Sequence, residues 1–93
     1  MLTLDAQLLI PKHVSFTLVE QDAILLNTRT NKYYALDEVG ARLWGLLNEG
    51  KQLKDAYQML LDEYEVKPAR LEKDLLELID HLVENGLVEV AEG

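Results

Sequence analysis

Two histidines, seventeen carboxylates and five glycines are the residues of this 93-residue chain whose types could support chemistry, and their spacing argues against catalysis. His13 and His81 stand far apart, and neither has the His-x-x-x-His or cysteine neighbour that a zinc site requires. His81 lies beside Asp80 and Glu84 on a helical segment and reads as a surface histidine. The acids of "LEKDLLELIDHLVEN" (71–85) recur at helical spacing, which makes them the solvated side of an amphipathic helix rather than an acid–base pair. The glycines, at 40, 45, 50, 86 and 93, form no phosphate-cradling loop. Gly40 and Gly45 fall inside a predicted helix, where each costs ~1 kcal/mol relative to alanine. They are read as points of close packing against the sheet or another helix. No enzyme constellation, metal site or cofactor site emerges.

Recognition is the chemistry that remains. Tyr33 and Tyr34 sit side by side on a strand-like segment, "KYYAL" (32–36), and tyrosine supplies apolar area and a hydroxyl at low entropic cost. Charge narrows the partner. Seventeen acidic against nine basic residues give a net charge of −8, which repels the phosphates that dominate nucleic-acid affinity and disfavours anionic membranes. The chain contains no cysteine, so a disulfide scaffold is excluded and a reducing cytoplasm fits. "MLTLDAQLLIPKH" has no basic residue ahead of its apolar part and no small-residue cleavage site, so it is a poor signal peptide. No apolar run approaches the roughly 20 residues that cross a bilayer. The expectation is a soluble, cytoplasmic protein of one domain.

The elements that must position the tyrosines follow from periodicity. Residues 1–12 lack a clear period and are read as an arm or a short edge strand. "HVSFTLVE" (13–20) alternates, with Val14, Phe16 and Leu18 on one face, as a half-buried strand does. Gln21-Asp22 is read as a turn, "AILLN" (23–27) as a second strand, "TRTN" as a turn and "KYYAL" as a third strand. On that strand Tyr34 and Leu36 share one face, Tyr33 and Ala35 the other. Asp37 is a suitable N-cap for a helix carrying Val39, Leu43, Trp44, Leu46 and Leu47, ending with Gly50 at C′. A second helix occupies 52–64. A third starts at Pro68 and ends at Asn85-Gly86, and "LVEV" (87–90) is a short terminal strand. The sum is an α+β domain over 13–90: a three-stranded antiparallel sheet, then three helices in a winged-helix-like order.

The third helix is greasier than its own packing needs. Leu71, Leu75, Leu78, Ile79 and Leu82 make an ordinary core stripe, and at about 100° per residue Leu76 and Val83 widen it on one flank. Either the arm or terminal strand covers that width, or a groove awaits a partner segment. The third strand points to a partner as well, because its outer edge has free N–H and C=O groups if it pairs only with the second strand.

The run "ILLNTRTNKYYALDEVGARLWGLLNEG", followed by "LKDAYQMLLDEYEV" and a last helix closing in "LVENGLVEV", resembles the PqqD family of peptide-recognition domains over about residues 13–90. The most specific element is the order Tyr34, Leu36, Asp37, Gly40, Leu43, Trp44, with "ENGL" (84–87) closing the last helix. The resemblance implies a winged-helix-like domain that binds the leader of a ribosomally made precursor peptide as an added strand on the third strand, against the third helix. Carried over by position, Lys32, Tyr33, Tyr34 and Ala35 would supply strand contacts, and Leu75, Leu76, Ile79, Leu82 and Val83 apolar pockets, with Lys73 and Asp74 at the rim. Leu36, Gly40, Leu43 and Trp44 look structural. The implied partners are the precursor peptide together with the leader peptidase and cyclase of a lasso-peptide pathway, or a radical-SAM enzyme in a pyrroloquinoline quinone pathway. A winged-helix transcription factor is disfavoured, since residues 69–85 carry only Arg70 and Lys73 against five acids.

Overall fold

The computed structural model describes residues 2–91. The chain runs β1 (Gln7–Leu9), β2 (Val14–Val19), β3 (Asp22–Asn27), β4 (Lys32–Leu36), α1 (Glu38–Asn48), α2 (Leu53–Glu63), α3 (Pro68–Glu84) and β5 (Glu89–Ala91). Strands β2, β3 and β4 form one antiparallel sheet in that order, and β1 pairs with β5 in a separate two-stranded ribbon. The α+β, winged-helix-like arrangement read from the sequence is the one observed.

Each boundary has a local cause. The first hairpin turns at Glu20-Gln21, one residue earlier than the sequence suggested, because Glu20 takes the left-handed conformation (φ 60°) and Asp22 already pairs with Val19. The second turns over residues 28–31, where Asn31 is left-handed (φ 58°) and its N–H donates to the Asn27 carbonyl at 2.7 Å. The Asp37 carboxylate caps α1 by accepting from the Gly40 N–H at 2.9 Å. Both α1 and α3 end in the same way. Lys51 N–H reaches the Leu46 carbonyl, Leu87 N–H reaches that of Leu82, and Gly50 and Gly86 take positive φ in between (92° and 70°).

Backbone direction in the sheet follows from one hydrogen bond. The Thr28 N–H donates to the carbonyl of His13, the residue opposite it in register, at 2.9 Å. Directly opposed residues that bond in this way alternate along an antiparallel ladder with pairs that do not. Ser15, Thr17 and Val19 therefore turn their N–H and C=O groups towards β3, and Val14, Phe16 and Leu18 turn theirs to the outer edge. Carried through β3, the same alternation makes Lys32, Tyr34 and Leu36 the bonded residues of β4 and leaves Tyr33 and Ala35 facing outward.

The core lies between the sheet and the helices. Leu25 of β3, Leu36 of β4, Leu43, Trp44 and Leu46 of α1, Leu60 of α2, and Leu75, Ile79 and Leu82 of α3 are all buried. Truncating one of them to alanine removes about 2–5 kcal/mol. The Trp44 indole N–H is the buried side-chain donor left without a partner among the described residues, and its ring meets Phe16 edge-on at 6.5 Å.

Two expectations need correction. Phe16 and Leu18 do share the inner face of the sheet, but they are 39% and 63% exposed, because α1 packs chiefly over β3 and β4 and meets β2 at the Phe16–Trp44 contact. Gly40 is a close-packed glycine, since an added Cβ would lie 3.3 Å from Leu78 Cδ2 and 3.4 Å from Leu36 Cβ. Gly45 is not; nothing approaches its Cβ position within 4 Å, because it faces the space that α1 leaves beside β2. The arm of residues 2–12 packs Leu2, Leu4, Leu8 and Ile10 against the core and is tied to the C-terminal strand through β1.

Candidate peptide-binding site

The outer edge of β4 borders a groove of about 480 Å³. One wall is β4 itself, through Tyr34, Ala35 and Leu36. The floor is α1, which begins at the end of that strand and contributes Val39 and Gly40. The far wall is the first half of α3, through Arg70, Leu71, Asp74, Leu75 and Leu78, with Val66 closing one end from the loop before it. No residue of 2–12 or 87–91 lines this space, so the protein's own arm and terminal strand leave it open.

Local sequence places each wall. Gly40 lets α1 and α3 approach at Leu78, which closes the bottom of the groove without filling it. The position of α3 is set at both ends. At its C-terminus the Asn27 side-chain amide donates to the Asn85 carbonyl at 3.1 Å, and His13 Nε2 donates to the Gly86 carbonyl at 3.0 Å. At its N-terminus the Tyr57 hydroxyl donates to the Pro68 carbonyl at 3.0 Å. Asn27, the one buried polar residue among those described, thus holds the β3–β4 hairpin to the end of the helix. His13 serves the same latch.

The groove is apolar inside and polar at its lip. The Asp37 carboxylate is occupied by the α1 cap. Arg70 and Asp74 are 3.9 Å apart on successive turns and largely exposed, a spacing worth well under ~1 kcal/mol, so both are free to meet a ligand. Among the described residues no three histidines or carboxylates cluster as metal ligands would. Nor is any helix among them long and apolar enough to cross a membrane. What the arrangement offers is a pair of backbone N–H and C=O sets, on Tyr33 and Ala35, beside an apolar slot. That combination accepts an extended peptide as one more strand.

The residues singled out from sequence fall into three groups. Tyr34, Ala35, Asp74 and Leu75 line the groove, and Tyr33 offers its backbone at the same edge while its side chain, 72% exposed, lies on the sheet's other face. Lys32 is exposed at the start of β4. Ile79 and Leu82 are core residues, and Leu76, Lys73 and Val83 lie on the opposite flank of α3, where Leu76 and Lys73 border a shallow dent with Ala69 and Asp80. The structure does not bring those five to the groove. Conversely, Leu36, Val39, Gly40, Val66, Arg70, Leu71 and Leu78 line it without having been singled out. Leu71 and Leu78 carried a signal, since both belong to the helix's core stripe; Val66 and Arg70 carried none.

This fold and site define a class. The family model for coenzyme PQQ synthesis protein D, PqqD, matches residues 22–88, and the chain belongs to that family. Two solved structures resemble it closely. TbiB1, in complex with the TbiA(beta) leader peptide, is 31% identical, with a TM-score of 0.83 over 90% of this chain and 98% of that one. A lasso peptide synthetase B1 complexed with its leader peptide is 28% identical, with a TM-score of 0.80 over 90% of this chain and 99% of that one. No curated protein matches the chain.

Proposed function

We propose that this protein is a non-catalytic adaptor that binds the leader of a ribosomally made precursor peptide along β4 and delivers it to modifying enzymes. The observation that carries this reading is the free edge of β4 beside an open apolar groove. The leader enters as an antiparallel strand, exchanging hydrogen bonds with Tyr33 and Ala35. Its inward side chains lie against Leu36, Leu71, Leu75 and Leu78, and its polar groups meet Arg70 and Asp74. Lys32, Tyr33, Tyr34, Ala35, Asp74 and Leu75 are thereby retained from the sequence reading as peptide contacts.

The pathway proposed is lasso-peptide biosynthesis, with a leader peptidase and a cyclase as recipients. Likeness to two leader-bound proteins, one of them a lasso peptide synthetase B1, supports it. Membership of the family of coenzyme PQQ synthesis protein D favours a second reading, delivery to a radical-SAM enzyme in a pathway like that of coenzyme PQQ. Neighbouring reading frames separate the two: a short precursor beside a transglutaminase-like peptidase and an asparagine-synthetase-like cyclase supports the first, a radical-SAM frame the second. Titration with a synthetic leader taken from that precursor tests the adaptor itself. Amide signals of residues 32–36 and 70–78 are expected to shift, and a titration that leaves them unmoved refutes strand addition at β4.

A further inference from the structure

The sheet has a second unpaired edge, and nothing in the peptide-binding reading uses it. Strand β2, "VSFTLV", carries no charge, no proline and no bulge, the devices that ordinarily blunt an exposed edge. Phe16 and Leu18 turn their N–H and C=O groups outward along it, by the alternation established above. Their side chains open onto a trough of about 510 Å³ whose other wall is α1, at Ala41, Gly45 and Glu49. An uncharged edge strand with exposed apolar side chains on a protein of net charge −8 calls for an occupant.

We infer that β2 is a docking edge for the enzyme that processes the bound peptide. That enzyme would contribute an extended segment with apolar side chains at alternate positions and Lys or Arg beside them. The inference rests on the adaptor reading for the partner's identity. Charge argues for a different protein over a second copy. Glu38 and Glu49 border the trough, and its one cation, Arg42, is already neutralised by Glu63 through two hydrogen bonds of 2.9 Å. Two copies would bring like-charged troughs together across a short edge, whereas a basic segment is attracted and steered to it. A contact along one six-residue strand is small, and small interfaces suit the transient contact that an adaptor passing on its cargo requires. Peptide and enzyme then occupy opposite edges of one sheet without competing.

The test uses the full chain, the pathway's leader peptidase and a synthetic leader, read by amide hydrogen exchange and by affinity. Peptidase is expected to slow exchange at Phe16 and Leu18 about tenfold or more, with or without leader, and leader alone to slow only Tyr33 and Ala35. Leu18→Pro deletes an N–H that β3 does not use, and Leu18→Glu adds a like charge at an exposed site. Each is expected to weaken peptidase binding about tenfold or more while leaving leader affinity within about twofold. Leu18→Glu serves if the proline variant folds poorly. The inference is overturned if the peptidase does not bind, if it protects amides elsewhere, or if both variants bind it like the parent. Protection of β2 that rises with the protein's own concentration would also overturn it, by assigning the edge to a second copy. Protection of β2 by peptidase without protection of Tyr33 and Ala35 by leader would refute strand addition at β4 and leave enzyme docking at β2 standing.

Discussion

The two edges of the sheet differ less in their strands than in the helices beside them. Both β2 and β4 end the ladder, and both turn alternate residues outward. Beside β4, α3 stands off at the width of a groove, held there by the Asn27 and His13 latch at one end and by Tyr57 at the other. Beside β2, α1 lies chiefly over β3, so the apolar side chains of the edge face an open trough bordered by α1 and Tyr64. A walled edge suits an intimate, sequence-reading contact with a flexible peptide. An open edge suits brief contact with a large folded partner.

The sharpest way to break this comparison is to exchange neighbours on β4. Tyr34→Pro removes a ladder hydrogen bond to β3 and is expected to cost about 3 kcal/mol or more, read as a fall in the denaturation midpoint. Ala35→Pro removes only an outward N–H. It is expected to keep the fold while lowering leader affinity about tenfold or more by calorimetry. If the two variants behave alike, Tyr34 and Ala35 do not alternate between ladder and outer edge.

The paired glycines of α1 come next. Gly45→Ala, in open space beside β2, is expected to stabilise the protein by ~0.5–1 kcal/mol. Gly40→Ala gains the same helix propensity but pushes on Leu78. It is expected to show little or no stabilisation and a several-fold loss of leader affinity, so thermal melts and titrations together separate the two edges.

The smallest effect concerns Arg42 and Glu63, which join α1 to α2 at the trough. The Arg42 hydrogen bonds hold the Glu63 carboxyl below its usual range. A carboxylate depressed in the folded state contributes stability above its unfolded pKa and loses it as pH falls through the folded one. Glu63→Gln should therefore cost under ~1 kcal/mol near neutrality, since both side chains are partly exposed, and nothing in acid. Urea titrations at the two pH values check this.

Much of the fold was legible in the residues because its punctuation is local. Asp37, Gly50, Pro68 and Gly86 mark helix ends by capping chemistry, and period-2 alternation marks the strands. The β4 side of the site was legible for the same reason. The α3 side was not. Its stripe widens towards Leu76 and Val83, yet the groove runs along the other flank, through Leu71, Asp74 and Leu78. Which flank of a helix meets a sheet edge depends on the hand of the tertiary packing, and periodicity carries no information about that. The exposure of β2 was hidden likewise, since alternation states that Phe16 and Leu18 share a face but not whether a helix reaches far enough to cover it.

The fastening of α3 has a mechanical consequence. One end of the helix is anchored to the sheet and the other to α2, so the mouth of the slot near Val66 widens only if α2 travels with it. A bulky guest at that mouth must therefore strain a lever made of two helices, and trimming Tyr57 to phenylalanine would slacken the hinge by removing the hydroxyl that holds Pro68.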